Sequence, residues 1–580
     1  MKSLEVSAAV ASLTVFLLGS VSCSSTPPPP TPAPTRLAGA GERGILARCL
    51  PNAVANRQAA ILGAASLRQQ MKLEIQLPLR NQAELNQLLH NLYDPRSANF
   101  HKYLSVSAFT ERFAPTAADY RKVASWAKDK GFNVTATTPN RRLVAVEGTV
   151  DTVNRAFSVS VNNYRHPTEG RMFYSPDREP TAVGLSVPIL QVTGLNNYSL
   201  PRPMLKRGVP AFAAGSGPSG VYLPSDMRAA YYGNGPLTGA GQTIGILSFD
   251  GYLASDVQLY YSTTGMTSKV PIKNVLVAGF NGACTAAGST TSSACDDGEQ
   301  VLDIVNAIGM APGIQQVLFY EGTNDTQILN QMATDNTAKI LSSSWGWNSA
   351  DAASDDPIFQ EFAAQGQSFV TASGDNGAYD SSTYSFPGVD PYVTEVGGTD
   401  LTTTGPGGSW SAETAWPQSG GGYVSGTAIP SWQQLVGVVN PTNQGSTSLR
   451  NSPDVAAEAN FDNPTVINGS FVTGYGGTSF ATPRWAGFLA LVNQQSVANG
   501  HGTMGFVNPA LYNLGTSSSY ASAFHDITSG SNPSTSGSGT GFNAVPGYDL
   551  VTGWGSPTGA ALINWLAGPA AATQSGTRSR

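Results

Sequence analysis

The chain of 580 residues is poor in cysteine, in charge and in histidine. It has four cysteines, and no CxxC pair or His/Cys cluster indicates a zinc site. Charged residues make up 12% of the sequence without a clustered Lys/Arg run, so no nucleic-acid partner is expected. The five histidines are His90, His101, His166, His501 and His525. Residues 167–500 therefore contain no imidazole, and a reaction in that stretch needs another proton acceptor.

The charges that are present are unevenly distributed. Residues 1–215 contain 24 Lys and Arg against 13 Asp and Glu, whereas residues 216–580 contain 8 against 25. Opposite fields attract, so we expect the basic part to associate with the acidic part and acidification to weaken that association. A chain with few cations also gains little self-repulsion when its carboxylates are protonated, which suits an acidic medium. Selection for a soluble acidic surface would give the same bias.

The N-terminus has the pattern of an export signal. Lys2 precedes an apolar run over residues 6–21, which is short for a membrane span, and we expect a signal peptide over residues 1–22. Cys23 could instead carry a lipid and attach the protein to a membrane, although Ser20 stands where a lipobox prefers Leu. The Pro-rich residues within 23–59 predict a stiff tether.

Export permits disulfide bonds. Cys284 and Cys295 flank a small loop rich in Gly, Ser and Thr, and we expect them to pair.

Residues 60–200 predict a compact α+β unit. Strands are expected at residues 71–78, 133–138, 142–148 and 159–165, and helices at 81–93, 116–132 (capped by Thr116) and 151–158. This order is that of a ferredoxin-like, split βαβ unit. Residues 201–220, rich in Pro, Gly and Ala, predict an exposed, cleavable linker.

The sequence pattern changes in residues 221–568. Short apolar strands, at residues 242–250, 315–322, 339–346 and 367–373, alternate with helical stretches at 297–309 and 325–336. This alternation predicts an α/β domain with a parallel, doubly wound sheet, whose chemistry lies at the carboxyl ends of the strands. Residues 569–580 are expected to be a disordered tail.

The stretch GYGGTSFATP, residues 474–483, is similar to the nucleophile turn of a subtilisin-like serine peptidase. It places Ser479 where a Gly-rich turn enters a long helix, next to free amides and the positive end of the helix dipole. An ordinary helix cap would give a similar pattern. A serine nucleophile needs a base, and the order Asp, His, Ser of subtilisins is impossible here because no histidine lies in residues 167–500.

Paired carboxyl groups can replace histidine in an acidic medium. Glu299 and Asp303 are four residues apart on a predicted helix and share one face, so they are expected to titrate as a pair. Glu299 would accept the serine proton, and Asp303 would orient Glu299. A carboxyl pKa near 4 suits a base at acidic pH. A solvated helix face is the alternative for this spacing.

A third acid, Asp375, lies in the turn SGDNG after an apolar strand. A protonated Asp could donate a hydrogen bond to a tetrahedral oxyanion, whereas an ionised one would repel it. A simple Asp-Asn-Gly turn is the alternative.

Together these motifs resemble the sedolisins, the serine-carboxyl peptidases. ExxxD (299–303), SGDNG (373–377) and GTSxxxP (477–483) stand in the family's chain order, with SSSWG (342–346), SGGGYVS (419–425), IPSWQ (429–433) and SPDVAA (452–457) around them. The resemblance implies a subtilisin-like fold, an N-terminal activation prodomain that acts as an intramolecular inhibitor, and acid-acting endopeptidase activity on protein or peptide substrates. It assigns Ser479 as nucleophile, Glu299 as base, Asp303 as its partner and Asp375 as oxyanion stabiliser.

The resemblance also implies one structural Ca²⁺ ion. Its ligands would be the carboxylates of Asp526 and Asp549 and the backbone carbonyls of Ile527, Val545 and Gly547; Val545 replaces the glycine usual in the family. Oxygen-only ligands suit Ca²⁺, although a Gly-rich acidic loop without an ion is the alternative.

The sequence therefore predicts a secreted, self-processing, monomeric proenzyme of a serine endopeptidase. A peptidase-like binding module without activity would not require all four candidate residues to be intact. A glycosidase with paired carboxylates would leave the GTSxxxP turn and the predicted prodomain unexplained.

Overall fold

The computed structural model describes residues 49–209, 214–284, 295–347, 352–380, 386–534 and 541–570. The predicted signal peptide, Cys23, most of the predicted tether and nearly all of the predicted tail lie outside these ranges. Within them, no helix is both long enough and apolar enough to cross a membrane.

The N-terminal part, residues 49–200, combines strands and helices. Its strands are β1 (Ala60–Ala64), β2 (Gln70–Gln76), β3 (Asn133–Thr137), β4 (Leu143–Thr149), β5 (Val161–Arg165), β6 (Met172–Pro176) and β7 (Gln191–Thr193). Its helices are α1 (Asn52–Ala55), α2 (Gln82–Tyr93), α3 (Val106–Phe113), α4 (Ala117–Asp129) and α5 (Val150–Phe157). The predicted cap of α4 is present, because the Thr116 side chain accepts a hydrogen bond from the Asp119 amide.

The main sheet of this part has the order β3-β4-β2-β7, with all pairs antiparallel. This is the order expected of a ferredoxin-like sheet, but the prediction of its fourth strand was wrong. Residues 161–165 form β5, which pairs with β1 and β6 in a separate sheet, and the fourth position belongs to β7. All three residues of β7 are buried, with Val192 opposite Ile75, and a strand this short leaves little periodic signal.

The C-terminal part begins after the connector, residues 201–220, which contributes β8 (Arg202–Pro203) and β9 (Lys206–Arg207). The further strands are β10 (Thr243–Ser248), β11 (Ile272–Leu276), β12 (Gln316–Glu321), β13 (Ile340–Ser343), β14 (Trp345–Gly346), β15 (Ser368–Ala372), β16 (Thr394–Thr403), β17 (Trp410–Ala415), β18 (Val455–Glu458), β19 (Asn463–Ile467), β20 (Ser470–Gly476), β21 (Phe524–His525) and β22 (Ser556–Pro557). The helices are α6 (Pro224–Tyr231), α7 (Ala254–Thr264), α8 (Gly298–Met310), α9 (Asp325–Asp335), α10 (Ala352–Gln365), α11 (Thr478–Ala498), α12 (Asn508–Gly515), α13 (Tyr520–Ala523) and α14 (Ala560–Ala567).

The large sheet has the order β11-β12-β10-β13-β15-β16-β17, and β18 also pairs with β16. All of its pairs are parallel except β16–β17, so the predicted parallel α/β sheet is confirmed with one antiparallel edge. Alternate residues of β10 face two separate hydrophobic clusters: Ile244 and Ile246 pack with α8 and α11, and Leu247 packs with α9 and α10. Helices therefore cover both faces, as doubly wound sheets require.

The loops after β13 and β15 meet the start of α11 at the carboxyl edge of this sheet. Ser344 directly follows β13, and Asp375 lies three residues beyond β15. This edge is where ligand and catalytic sites of open α/β sheets lie.

The expected disulfide between Cys284 and Cys295 is present, with the two Cα atoms 5.1 Å apart.

Candidate active site

Ser479 is the second residue of α11 and is completely buried. The residue before the helix, Gly477, has φ +145°, and a Cβ there would lie 2.2 Å from the Met204 carbonyl oxygen and 2.8 Å from Asp375 Oδ2. Only glycine fits this position, which explains part of the GTSxxxP motif. The first amides of α11 have partners: Thr478 donates to Asp375, and Ser479 donates to Met204.

Glu299 makes the contact that the sequence predicts for a base. The Ser479 hydroxyl donates to Glu299 Oε2 over 2.9 Å. All residues of α8 are buried, and the Glu299 side chain is only 3% exposed, so the alternative of a solvated acidic face is wrong. A buried carboxyl group in hydrogen-bond contact with a serine hydroxyl can accept its proton.

Asp303 lies one turn further along α8 and has a partner that the sequence did not reveal. The Ser344 hydroxyl donates to Asp303 Oδ1 over 2.6 Å, and the Ser344 carbonyl lies 3.4 Å from the Ser479 hydroxyl. Ser344 belongs to the segment SSSWG, where three consecutive serines give no sign of which one faces the site. Its place directly after a buried strand was the only available signal.

The pKa values of Glu299 and Asp303, the two acids of α8, are both raised. Burial raises the pKa of Glu299 well above its ordinary value, the charge of Asp303 raises it further, and the Ser479 hydrogen bond opposes both. Burial also raises the pKa of Asp303, against a hydrogen bond from Ser344 that lowers it. Glu299 Oε1 and Asp303 Oδ2 have no hydrogen-bond partner among the described residues. One proton held by this pair would reduce the cost of burying two carboxylates.

Asp375 is buried beside the start of α11. Its Oδ1 accepts hydrogen bonds from the Thr478 amide (2.8 Å) and hydroxyl (2.9 Å), whereas its Oδ2 has no hydrogen-bond partner among the described residues. Burial raises the pKa of Asp375 to about 7, while the Thr478 hydrogen bonds and the Lys206 ammonium lower it. Below that pH the group carries a proton and can act as a donor.

The connector crosses this site. β8 pairs antiparallel with β14 on one side of Ser479, and β9 pairs antiparallel with β20 on the other. The Met204 amide, between β8 and β9, donates to the Ser344 carbonyl over 2.9 Å. A continuous peptide therefore occupies both sides of the serine.

The two histidines that follow Ser479 in the sequence have other surroundings. His501 is exposed and hydrogen-bonds the Pro569 carbonyl over 2.8 Å, and the His525 ring stacks on Trp410 with ring centroids 4.0 Å apart. The group bonded to the Ser479 hydroxyl is a carboxylate.

The residues expected to bind calcium lie on two loops that contact each other. Both oxygens of Asp526 lie 3.1 Å from the Gly547 amide, and Asp549 Oδ2 accepts from the Val545 amide over 3.1 Å. Ile527 follows Asp526 directly in the chain. The donor set, two carboxylates and three backbone carbonyls, has the chemistry of a calcium site.

One other group has the proximity of metal ligands among the described residues: Cys284, Cys295 and Asp297. Both sulfurs belong to the disulfide, so neither can supply the thiolate that a metal ligand requires.

Comparison with known proteins supports the interpretation of these motifs. Residues 57–198 match the model of the Pro-kumamolisin activation domain, and residues 224–504 match the subtilase family. The chain is 33% identical to sedolisin of Pseudomonas sp. (strain 101) over 552 residues, which cover 87% of this chain and 89% of that protein. The chain belongs to the sedolisin family.

Other relatives agree with this assignment. Kumamolisin of Bacillus sp. (strain MN-32) is 30% identical over 495 residues, covering 80% of this chain and 86% of that protein. A solved structure of Pseudomonas sedolisin, described as a serine-carboxyl proteinase, aligns over 61% of this chain and 98% of its own with a TM-score of 0.50 at 33% identity. The fold is thus subtilisin-like, the chain is a serine-carboxyl peptidase, and it carries the activation domain of a zymogen.

Proposed function

We propose that this sedolisin is the precursor of an acid-acting endopeptidase in which Ser479, Glu299 and Asp303 form the catalytic triad and Asp375 stabilises the oxyanion. The observation that carries the proposal is the 2.9 Å hydrogen bond from the Ser479 hydroxyl to a buried carboxylate. In the reaction, Ser479 Oγ attacks the peptide carbonyl while Glu299 takes the serine proton, and the proton then passes to the leaving amine. Water releases the acyl group by the same steps.

Asp303 and Ser344 act on the base rather than on the substrate. Ser344 fixes one oxygen of Asp303, and Asp303 faces Glu299 from the next turn of α8. The pair carries one proton at the working pH, which leaves Glu299 able to accept another from the serine.

The protonation of Asp375 sets the upper pH limit of the activity. Its protonated carboxyl donates to the oxyanion, and the Ser479 amide donates to the same oxygen. Because the pKa of Asp375 is raised to about 7 by burial, the donor is present in acid and is lost as the pH rises through neutrality. A second proton on the Glu299–Asp303 pair abolishes the base at very low pH, so activity has an acidic optimum.

The course of the connector supports cleavage of internal peptide bonds, because residues 202–207 pass through the site as one continuous segment. Residues 202–203 lie on one side of Ser479 and residues 206–207 on the other, each paired with a strand of the C-terminal part. A cleft that holds chain on both sides accommodates the interior of a polypeptide substrate.

The N-terminal part acts as an intramolecular inhibitor because it holds the connector in that cleft. Gln327 donates to Glu74, Asn140 donates to Asn330 over 2.8 Å, and the Tyr93 hydroxyl donates to the Ala363 carbonyl over 2.6 Å. These contacts join the sheet and helices of residues 49–200 to α9 and α10.

Export, calcium and a monomeric state complete the proposal. Export is supported by the signal pattern of residues 1–22 and by the Cys284–Cys295 disulfide, which forms in oxidising compartments. A Ca²⁺ ion would be held by Asp526, Asp549 and the carbonyls of Ile527, Val545 and Gly547, where it would stabilise the two loops.

Hydrolysis of casein between pH 3 and pH 8 tests the proposal, with the Ser479→Ala protein as the control. We expect turnover near pH 4 that falls above pH 7 and is absent from the variant. Turnover that survives in the variant would contradict it.

A further inference from the structure

The connector lies in the cleft in a defined register. Arg202 pairs with Gly346 and Pro203 with Trp345, and the next residue, Met204, donates its amide to the Ser344 carbonyl. Beyond Met204, Lys206 pairs with Gly476 and Arg207 with Tyr475. The chain is therefore held by backbone pairing on both sides of two peptide bonds, Met204–Leu205 and Leu205–Lys206.

Of these two bonds, the one whose carbonyl group contacts the start of α11 is Met204–Leu205. The Ser479 amide donates to the Met204 carbonyl oxygen over 3.2 Å. Asp375 Oδ2, which has no hydrogen-bond partner among the described residues, lies near the Met204 carbonyl oxygen. A Cβ on Gly477 would contact both of these oxygens. Of the connector carbonyls, this is the one held by the amide of the proposed nucleophile, in the position of a reacting carbonyl.

We infer that the bond between Met204 and Leu205 is the first one that the precursor cuts in itself, and that the site accepts an apolar side chain of methionine size on the amino side of the cut. This inference rests on the proposed peptidase function and adds the bond and the side-chain preference.

The surroundings of Met204 support the preference. The residue is 6% exposed and lines a small cavity with Gly374, Asn376, Tyr379 and Gly420. A Cβ on Gly420 would lie 2.0 Å from the Ser373 carbonyl oxygen, so the backbone segments on either side are in direct contact. A narrow space with backbone walls suits a slender apolar side chain. A cation would lose its hydration there, with the Asp375 carboxyl, which is protonated in acid, as the acidic group lining the cavity.

The residues after the bond are also held. A Cβ on Gly298 would lie 3.5 Å from Leu205 Cδ2 and 2.8 Å from Ile467, which places the Leu205 side chain in apolar surroundings. The Lys206 ammonium donates to Asn376 Oδ1 over 2.8 Å and to the Asp375 carbonyl. Contacts on both sides fix the bond against the serine, which favours one cut over its neighbours.

The step balances without any further reactant than water. Ser479 Oγ bonds to the Met204 carbonyl carbon, the bond from that carbon to the Leu205 nitrogen breaks, and the serine proton passes through Glu299 to that nitrogen. Water then displaces Ser479 and leaves a carboxyl group on Met204. The products are one chain that ends at Met204 and one that begins at Leu205.

Intact-mass measurement of the full-length precursor, taken at short times after transfer to pH 4, tests the inference. We expect the first pair of fragments to correspond to a cut between residues 204 and 205. Met204→Lys should slow that cut at least about tenfold, because the cation would lose its hydration in a narrow, buried space. Val209→Lys is the matched control, since Val209 is 84% exposed, and should leave the rate unchanged.

The outcomes separate this inference from the proposed function. A Ser479-dependent first cut at another bond, or equal rates for the two lysine variants, would overturn the inference and leave the peptidase proposal intact. Processing that persists in Ser479→Ala, or a wild-type protein inert towards casein, would overturn the peptidase proposal itself. A synthetic peptide of residues 199–209, treated with the activated enzyme, should also be cut between Met and Leu, independently of precursor folding.

Discussion

The Ser344 hydroxyl lies 2.6 Å from Asp303 Oδ1 and donates a hydrogen bond to it. This contact links the loop after β13 to α8, and its backbone counterpart, the Ser344 carbonyl, faces both Ser479 and Met204. One residue of the loop therefore touches the acid pair, the nucleophile and the bound connector.

Replacing Ser344 by alanine should move the acidic limb of the activity profile. The hydrogen bond from Ser344 lowers the pKa of Asp303, so its loss raises that pKa and the pair takes up its second proton at a higher pH. We expect self-cleavage to be slowed about tenfold at pH 4 and less at pH 6. Ser342→Ala is the control, because the buried Ser342 hydroxyl has no hydrogen-bond partner among the described residues. Parallel profiles for the two variants would contradict the role of Ser344.

Asp375→Ala should slow self-cleavage by about 10²- to 10³-fold at pH 4, the usual cost of losing one oxyanion donor. Asp375→Asn should retain more activity, because an amide can donate at any pH. The alkaline limb near pH 7 should disappear in the asparagine variant, since only the carboxyl group loses a donor as the pH rises through its pKa of about 7. Rate profiles from pH 3 to pH 9 measure both effects, and an unchanged alkaline limb would assign it to another group.

Acidification alone should not release the N-terminal part, contrary to the expectation from the charge distribution. Docking buries Glu74 and Glu361, and burial raises their pKa values to about 8 and about 7, although Arg142 lowers the second. Each of these carboxyl groups binds its proton more tightly in the docked state. Its full contribution to docking is present below the pKa of the undocked group, near 4, and is lost as the pH rises through the higher pKa of the docked group. Docking is therefore stronger at pH 4 than at pH 8.

Small-angle scattering of the Ser479→Ala precursor measures this directly. The radius of gyration should stay the same between pH 7 and pH 4, and an increase at pH 4 would show that acid opens the precursor before any bond is cut.

Calcium should stabilise the protein through the loops that carry Asp526 and Asp549. We expect EGTA to lower the midpoint of thermal unfolding and excess CaCl₂ to restore it, as mass action requires for a ligand of the folded state. Asp526→Asn should abolish the difference, and it is a milder change than one at Asp549, which is buried and bonded to the amides of Val551 and Thr552. An EGTA effect of equal size in the variant would place the ion elsewhere.

Much of the sheet and part of the site could be predicted from the sequence. Strands β10, β12, β13 and β15 are apolar runs between turn residues, and Ser479 and Glu299 lie in motifs with fixed spacing. Strand β7 was missed because three residues carry too little pattern. Ser344 and Met204 were missed for another reason: each matters only through a partner more than 40 residues away in the chain, and no local pattern records such a contact.

The substitution of Glu299 by glutamine tests the central claim, that a carboxylate serves as the base. In single-turnover self-cleavage of the precursor at pH 4, Glu299→Gln should be slower than the wild type by about 10²- to 10⁴-fold, the usual contribution of a general base. Glu321→Gln is the control, because Glu321 is equally buried at the end of β12 and lies outside the proposed triad. Both variants should unfold at denaturant concentrations close to that of the wild type. A Glu299→Gln protein that cuts itself at the wild-type rate would contradict the account.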